Sequence, residues 1–335
     1  MSTITSRKLA PHLNGEKITL IDIGARYGIH KRWDAIASLL NVYAFEPDAE
    51  ECARINASAE SLPYRLECIP CALGDSAQSG IPLYICKDPG CSSLYQPNLE
   101  FARQFYFGDS MEVTRTVQVS TERLDTICNQ RNLRPDVIKI DTQGYELNIL
   151  KGSGSVLDTV KFVELEVEFN EQYKDQPLFS DVDLFMRSRG FALLGLRRTY
   201  WRRQVTRADL RSPFGGQIVH GDVLYYNDKL LKDPAGYATR EDLIKYCAVL
   251  SVYSQDDFVV HLLTAPHPAL RTIPEGERLA LAAALLTRTS GLSALMSRLL
   301  DLVRKRFWLP HTSLRGTIDR LQSKVARDWH DPDIY

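Results

Sequence analysis

The chain has 335 residues, enough for one large domain or two ordinary ones. A formal net charge of −1 argues against bulk nucleic-acid binding, and 44% hydrophobic and 25% charged residues are the proportions of a soluble globular protein. Met1 to Lys8 carry no apolar core of a signal peptide, and the longest apolar run, Leu279 to Leu286, is too short to span a bilayer, so a cytoplasmic protein without a transmembrane segment is expected. The seven cysteines are scattered. Cys68 and Cys71 have CxxC spacing but no second pair nearby, so reduced thiols are expected rather than a zinc or disulfide site.

In chain order, apolar strand-like runs fall at Ile18–Ile23, Val42–Phe45, Leu66–Ala72, Ile81–Ile85, Val117–Val119, Val137–Ile140 and Val160–Val167. Helical stretches lie between several of them, at Lys31–Leu40, Pro47–Ser58, Leu124–Gln130 and Tyr145–Lys151. This alternation predicts an α/β fold, a doubly wound parallel sheet with helical crossovers. From about Gly190 the strands become shorter and more polar (Phe191–Leu196, Ile218–Tyr226) and suit an antiparallel edge. After Asp233-Pro234-Ala235-Gly236 the pattern is helical, with breaks at Pro266-His267-Pro268, Pro274 and Pro310. A division into residues 1–232 and a helical accessory domain, 233–335, is expected.

The first strand ends in Asp22-Ile23-Gly24-Ala25-Arg26-Tyr27-Gly28. Gly24 and Gly28 permit a tight turn whose amides point at an anionic group of a ligand. The spacing lacks the Gly-x-Gly-x-x-Gly triplet of dinucleotide sites, and an acid opening the motif suits a ligand with an ammonium group, such as S-adenosylmethionine. The second strand ends in Glu46-Pro47, where a carboxylate can accept both ribose hydroxyls. Cys71 and Ala72, at the expected end of the third strand, are small enough to leave room for a flat adenine.

Asp136 to Glu146 reads as a buried strand ending in Asp141, a turn at Gly144, and a helix from Tyr145. Asp141 therefore projects at the carboxyl edge, to orient cofactor or acceptor or to act as a base; a plain helix N-cap is the alternative. In Phe162–Phe169, period-2 alternation puts Glu164, Glu166 and Glu168 on one face. Buried carboxylates are costly unless paired, so a site role for Glu166 or Glu168 is expected over a partly solvated face. His220 follows a short strand and is a further candidate base, with a packed or surface histidine as the alternative. Asp141, Glu166, Glu168 and His220 are thus the catalytic candidates. No tight ligand cluster demands a metal.

Arg197 to Arg203, followed by Arg207 and Arg211, is basic with interleaved aromatics. Arg198, Tyr200 and Trp201 would hold a phosphate, a nucleotide-sugar or an anionic glycan; a solvated hairpin is the alternative. The tail is basic between Arg271 and Arg327. It is read as a helical subdomain packed on the catalytic one or as a homodimer surface. The sharper reading is peripheral contact of Arg304-Lys305-Arg306-Phe307-Trp308 with a membrane surface or an anionic partner.

The block from Ile18 to about Tyr226 resembles the FkbM family of S-adenosylmethionine-dependent methyltransferases. The resemblance is carried by Asp22-Ile23-Gly24-Ala25, Phe45-Glu46-Pro47, Ala72-Leu73-Gly74-Asp75, Ser92-Ser93-Leu94, Leu124-Asp125, and Ile138 to Asp141 with Gly144-Tyr145-Glu146. It implies a class I methyltransferase fold, a Rossmann-like doubly wound sheet, and O-methylation of a sugar or polyketide hydroxyl. By the same resemblance Asp22, Gly24, Glu46, Ala72 and Asp141 would line the cofactor site, with Ser92 and Ser93 on a loop near the acceptor. The chain departs from the family where Arg26 replaces a frequent asparagine and Thr142-Gln143 a frequent Val-Glu pair. The expected function is O-methylation of a saccharide or glycan precursor, and the competing one a degenerate, non-catalytic glycan- or partner-binding module.

Overall fold

The computed structural model describes residues 4–204, 216–232, 239–264, 273–286 and 333–334. Eleven strands are present: β1 (Ile18–Ile23), β2 (Leu40–Phe45), β3 (Arg65–Ile69), β4 (Ala72–Leu73), β5 (Gln78–Cys86), β6 (Val113–Glu122), β7 (Val137–Ile140), β8 (Phe162–Glu168), β9 (Phe191–Trp201), β10 (Gln217–Asn227) and β11 (Asp333–Ile334) among the described residues. The helices are α1 (Ile4–Leu9), α2 (Ala49–Ser58), α3 (Leu99–Ala102), α4 (Leu124–Arg131), α5 (Glu146–Gly152), α6 (Phe179–Ser188), α7 (Asp228–Lys232), α8 (Arg240–Val252), α9 (Asp256–Thr264) and α10 (Glu275–Leu286).

The main sheet has the order β11-β9-β10-β8-β7-β1-β2-β3. Strands β3, β2, β1, β7 and β8 are parallel, and β10 runs antiparallel between β8 and β9. From β1 the chain winds outward through β2 and β3, then returns to β7 on the other side of β1. The order therefore reverses between β1 and β7, the position where open α/β sheets bind ligands. This is the class I methyltransferase arrangement that the alternation and the resemblance predict.

The expected third strand, Leu66–Ala72, is two elements. Pro70 ends pairing after Ile69, and Ala72–Leu73 pairs instead with Thr121–Glu122. With the antiparallel pair β5–β6 it makes a separate three-stranded sheet, so Ile81–Ile85 and Val117–Val119 lie outside the main sheet. Lys31–Leu39 forms tight 3-10 turns with a kink at Ile36, not a continuous α-helix. Helix α2 is capped by Asp48, whose side chain accepts from the Glu50 and Glu51 amides.

Two apolar layers cover the main sheet. On one face Ile18, Leu20, Val42, Val137 and Phe162 pack with Leu243, Ile244, Tyr246 and Leu250 of α8 and Val259 and Leu263 of α9. On the other, Ile21, Ile23, Phe45, Ile138, Ile140, Val163 and Leu165 pack against α4, α5 and α6. The C-terminal helices through α9 thus share a core with the strands. Residues 287–332, including Arg304 to Trp308 of the basic tail, and residues 205–215, including Arg207 and Arg211, lie outside the described residues.

Side-chain alternation explains where the chemistry sits. On the face toward α8 each strand passes from apolar to charged along its length: Leu20 then Asp22, Val137 then Lys139 and Asp141, Phe162 then Glu164, Glu166 and Glu168. The charged residues gather toward the carboxyl ends, where the helices reach Glu164 through Tyr253 at the end of α8.

Candidate functional site

At the switch point, the Gly24 and Ala25 amides bond the Phe45 carbonyl at 3.0 and 3.2 Å, and the Asp141 amide bonds the Ile23 carbonyl at 3.0 Å. Gly24 has φ +79°, and a Cβ there would lie 1.9 Å from the Asp141 carbonyl oxygen. Only glycine allows this close approach of the β1 and β7 ends. An open cleft lies above them, at the place where open α/β sheets bind ligands.

Gly24, Arg26, Glu46, Pro47, Cys71, Ala72 and Asp141 of the expected cofactor set line this cleft, with apolar walls from Phe45, Leu73, Leu83 and Ile149. Ser92 and Ser93 line it too. The Ser93 hydroxyl donates to the Gln143 carbonyl at 2.7 Å and accepts from the Tyr95 amide, so it fastens two loops together. Asp22, Ala25, Gly28 and Gly144 do not line the cleft. Asp22 is buried beneath it and paired with Lys139 at 3.3 Å, because β1–β7 register sets the two side by side. The expected ammonium-binding acid thus already has an ammonium partner in the chain. Ala25 is buried in the core, and Gly144 makes the turn, at φ +96°, beside Tyr173 and Gln176.

Glu46 also has neighbours within the chain. Its Oε1 accepts from the Asp48 amide at 2.9 Å and from Arg26, 3.3 Å away. Arg26 also reaches Asp48 at 3.0 Å. Burial outweighs these partners and raises the Glu46 carboxyl above its ordinary value.

A second cavity adjoins the first along Tyr27, Gly90 and Gln143, which line both. Its walls include Phe107, Met111, Tyr173 and Trp201, and its polar groups include Asp88, Gln172, Glu166 and His220. His220 Nδ1 lies 2.7 Å from Glu166 Oε1. Gln143 spans the two cavities: its amide nitrogen donates to Asp141 at 3.0 Å and to Glu166, and its oxygen accepts from the Tyr173 hydroxyl at 2.9 Å.

The three glutamates that the period-2 pattern could not separate have three different surroundings. Glu164 is held by Arg32 at 2.8 Å and Tyr253 at 2.5 Å, a tie between β8 and the end of α8. Glu166 faces the second cavity with His220. Glu168 is buried away from both cavities, and its Oε1 has no hydrogen-bond partner among the described residues. Burial, then Glu146 and Glu166, push the Glu168 carboxyl well above the usual carboxylate range. For Glu166, burial and the Asp141 charge raise its pKa to about 7, against the pull of His220. Burial alone would lower His220, but Glu166 raises it overall. For Asp141, burial raises the carboxyl, yet Lys139 and Gln143 more than offset this and hold it below its ordinary value.

Among the described residues of the expected aromatic and basic patch, only Trp201 lines the second cavity, its ring 6.1 Å from His220 and edge-on to it. Arg198 and Tyr200 alternate to the other face of β9, where the guanidinium lies 5.7 Å over the Tyr200 ring. Lys139, Glu146, Tyr27 and Tyr173 also line or brace the two cavities, beyond the residues that the sequence points to. Glu146, in the Gly144-Tyr145-Glu146 motif, accepts from the Thr142 amide at 2.7 Å and hydroxyl at 3.0 Å. Burial, then Glu166, push its carboxyl up to about 8. Tyr173 sits in an irregular segment after β8, where no periodicity marks it. Among the described residues, no group of three His, Cys, Asp or Glu is disposed to hold a metal, and no helix is long and apolar enough to cross a membrane.

A hexuronic acid methyltransferase, AglP of Haloferax volcanii, is 25% identical over 160 residues, 48% of this chain and 60% of that protein. The chain therefore spans well under two thirds of that relative's length. Among solved structures, precorrin-6y C5,15-methyltransferase of Geobacter metallireducens overlaps with a TM-score of 0.32 at 10% identity, covering 66% of this chain and 86% of its own. TrmK of M. capricolum, solved with S-adenosylhomocysteine, overlaps with a TM-score of 0.30 at 10% identity, covering 84% and 96%. The profile of the methyltransferase FkbM domain matches residues 22–193, just over half of the chain and the segment that builds the switch point, the cleft and β8. The chain belongs to the FkbM methyltransferase family.

Proposed function

We propose that the chain is an S-adenosylmethionine-dependent O-methyltransferase whose acceptor is a saccharide hydroxyl. The observation that carries this reading is the meeting of two cavities at Gln143, one an open cleft over the switch point bordered by Glu46, the other holding the Glu166–His220 pair. The residues present fit the cofactor. Gly24 clears the way for backbone approach, Glu46 stands at the end of β2 where ribose hydroxyls are accepted, and Phe45, Leu73, Cys71 and Ala72 offer an apolar slot for adenine. When bound, the cofactor supplies an electrophilic methyl carbon and its own leaving group.

The chain's task is then to align a hydroxyl and take its proton. His220 is the base. Its Nδ1 donates to Glu166, which leaves Nε2 to accept the hydroxyl proton, and the adjacent carboxylate stabilises the imidazolium that forms. Gln143 holds Glu166 and Asp141 in fixed positions from the loop between the cavities. The hexuronic acid named in the relative's description supports a saccharide acceptor, with hexosides and hexuronides as the first panel to try.

The test is calorimetry of S-adenosylmethionine and S-adenosylhomocysteine on the native chain and on Glu46→Ala. Low-micromolar binding that Glu46→Ala weakens at least about 100-fold is expected, and methyl transfer to the glycoside panel should follow. One observation favours a second reading, a non-catalytic module: Arg26 lies 3.3 Å from Glu46 Oε1 and competes for the carboxylate that would accept the ribose hydroxyls. A native chain that binds neither ligand would overturn the first reading and support the second.

A further inference from the structure

Tyr27 combines three features that packing does not explain. Its backbone is left-handed, φ +72°, a conformation that β-branched and bulky residues adopt only under strain. Its side chain is 69% exposed. It also borders both cavities. The position is anchored, because the Tyr27 amide donates to Glu51 at 2.9 Å. The ring lies against Gly90, where an added Cβ would come 3.6 Å from Tyr27 Cε2. Gly90 belongs to the turn Pro89–Cys91, held by Asp88, which accepts from the Gly90 amide at 2.9 Å, and Asp88, Gly90 and Cys91 all line the second cavity. An asparagine would tolerate this backbone better and a polar side chain would suit the solvent better.

We propose that Tyr27 is the acceptor-binding wall of the site: its ring packs against the apolar face of the saccharide and fixes the reacting hydroxyl between His220 and the cofactor cleft. This rests on the saccharide reading above and adds the residue that sets acceptor affinity. A strained, exposed aromatic at the seam of two cavities is placed to be covered by whatever enters the second one, and aromatic walls of that kind orient ring-shaped ligands. Asp88 and Gln172, on the same cavity wall, are available to neighbouring hydroxyls.

The experiment compares the native chain, Tyr27→Asn and Tyr27→Phe, each saturated with S-adenosylhomocysteine, by saturation-transfer NMR titration of methyl β-D-glucoside and methyl β-D-glucuronide. Tyr27→Asn keeps the left-handed backbone and removes the ring, so its melting temperature should be equal to or above the native value. Glycoside affinity should fall about tenfold in Tyr27→Asn and stay within about twofold in Tyr27→Phe, the loss expected for one aromatic contact. S-adenosylhomocysteine affinity should be the same in all three. Equal glycoside binding by Tyr27→Asn overturns the proposal, as does a parallel loss of S-adenosylhomocysteine binding, which would assign Tyr27 to the cofactor. If the native chain binds S-adenosylhomocysteine but neither glycoside, the saccharide reading itself fails and the role of Tyr27 falls with it.

Discussion

Glu166 and His220 lie far apart in sequence, and only the antiparallel pairing of β10 with β8 brings them to 2.7 Å. Replacing His220 by Asn should lower methyl transfer by about 10²–10⁴-fold, the usual range for losing a general base, while S-adenosylhomocysteine affinity stays unchanged. The pH profile separates the partners. As the proposed base, His220 would act when unprotonated, so kcat/KM should rise as pH climbs through its folded-state pKa, which Glu166 holds above the ordinary value. In Glu166→Gln that support is gone, so the acidic limb of the profile moves to lower pH while the maximum drops. An unmoved limb would mean that Glu166 does not govern the titration. The sequence puts Glu164, Glu166 and Glu168 on one face and does not separate Glu166 from Glu168, since alternation reports a face and not a neighbour. Their partners, Arg32 and Tyr253 for one and His220 for another, come from distant elements.

At the scale of elements, the segment from β7 to α5 carries most of the geometry. Gln143 has φ +59° and Gly144 φ +96°, a tight reversal that Glu146 secures through the Thr142 amide and hydroxyl. Burial keeps the Glu146 carboxyl protonated up to about pH 8 in the folded chain, against an ordinary value of 4.5. The folded state thus holds a proton that the unfolded state has released. Its stabilising contribution is full below the unfolded value and is lost as pH rises toward 8, at up to about 1.4 kcal/mol per pH unit. Glu146→Gln keeps an acceptor for the loop and removes the titration. Urea midpoints at pH 5 and pH 9 should therefore differ less in Glu146→Gln than in the native chain. The strand, turn and helix of this segment were legible from Asp136 to Glu146. The positive φ at Gln143, and its use as a bridge between two cavities, were not, because glutamine carries no local signal for either.

For the molecule as a whole, α8 and α9 are the test of how the chain divides. The composition change near residue 232 marks where strands give way to helices, yet Leu243, Ile244, Leu250, Val259 and Leu263 are fully buried in a core shared with β1, β2 and β8. At about 2 kcal/mol each, these five side chains alone roughly match the net stability of an ordinary domain. A chain ending at residue 232 should therefore be insoluble, or lack a cooperative melting transition by circular dichroism. A soluble, cooperatively melting fragment with intact S-adenosylhomocysteine binding would mean that the helices form a separable unit.

The alternation of apolar runs with helical stretches, the turn glycines and the acid-ended strands pointed to the parallel sheet and to chemistry at the carboxyl ends of β1, β2 and β7, and the family followed from the resemblance those motifs carry. Those signals are local: each depends on residues a few positions apart, within one strand, turn or helix. Tertiary structure alone decided that Asp22 is neutralised by Lys139, that Arg26 leans on Glu46, that Pro70 diverts Ala72 into a second sheet, and that Glu166 and not Glu168 meets His220. Each of these depends on strand register, which sets the distance between groups remote in sequence, and on burial, which decides the charge a carboxyl or an imidazole carries there.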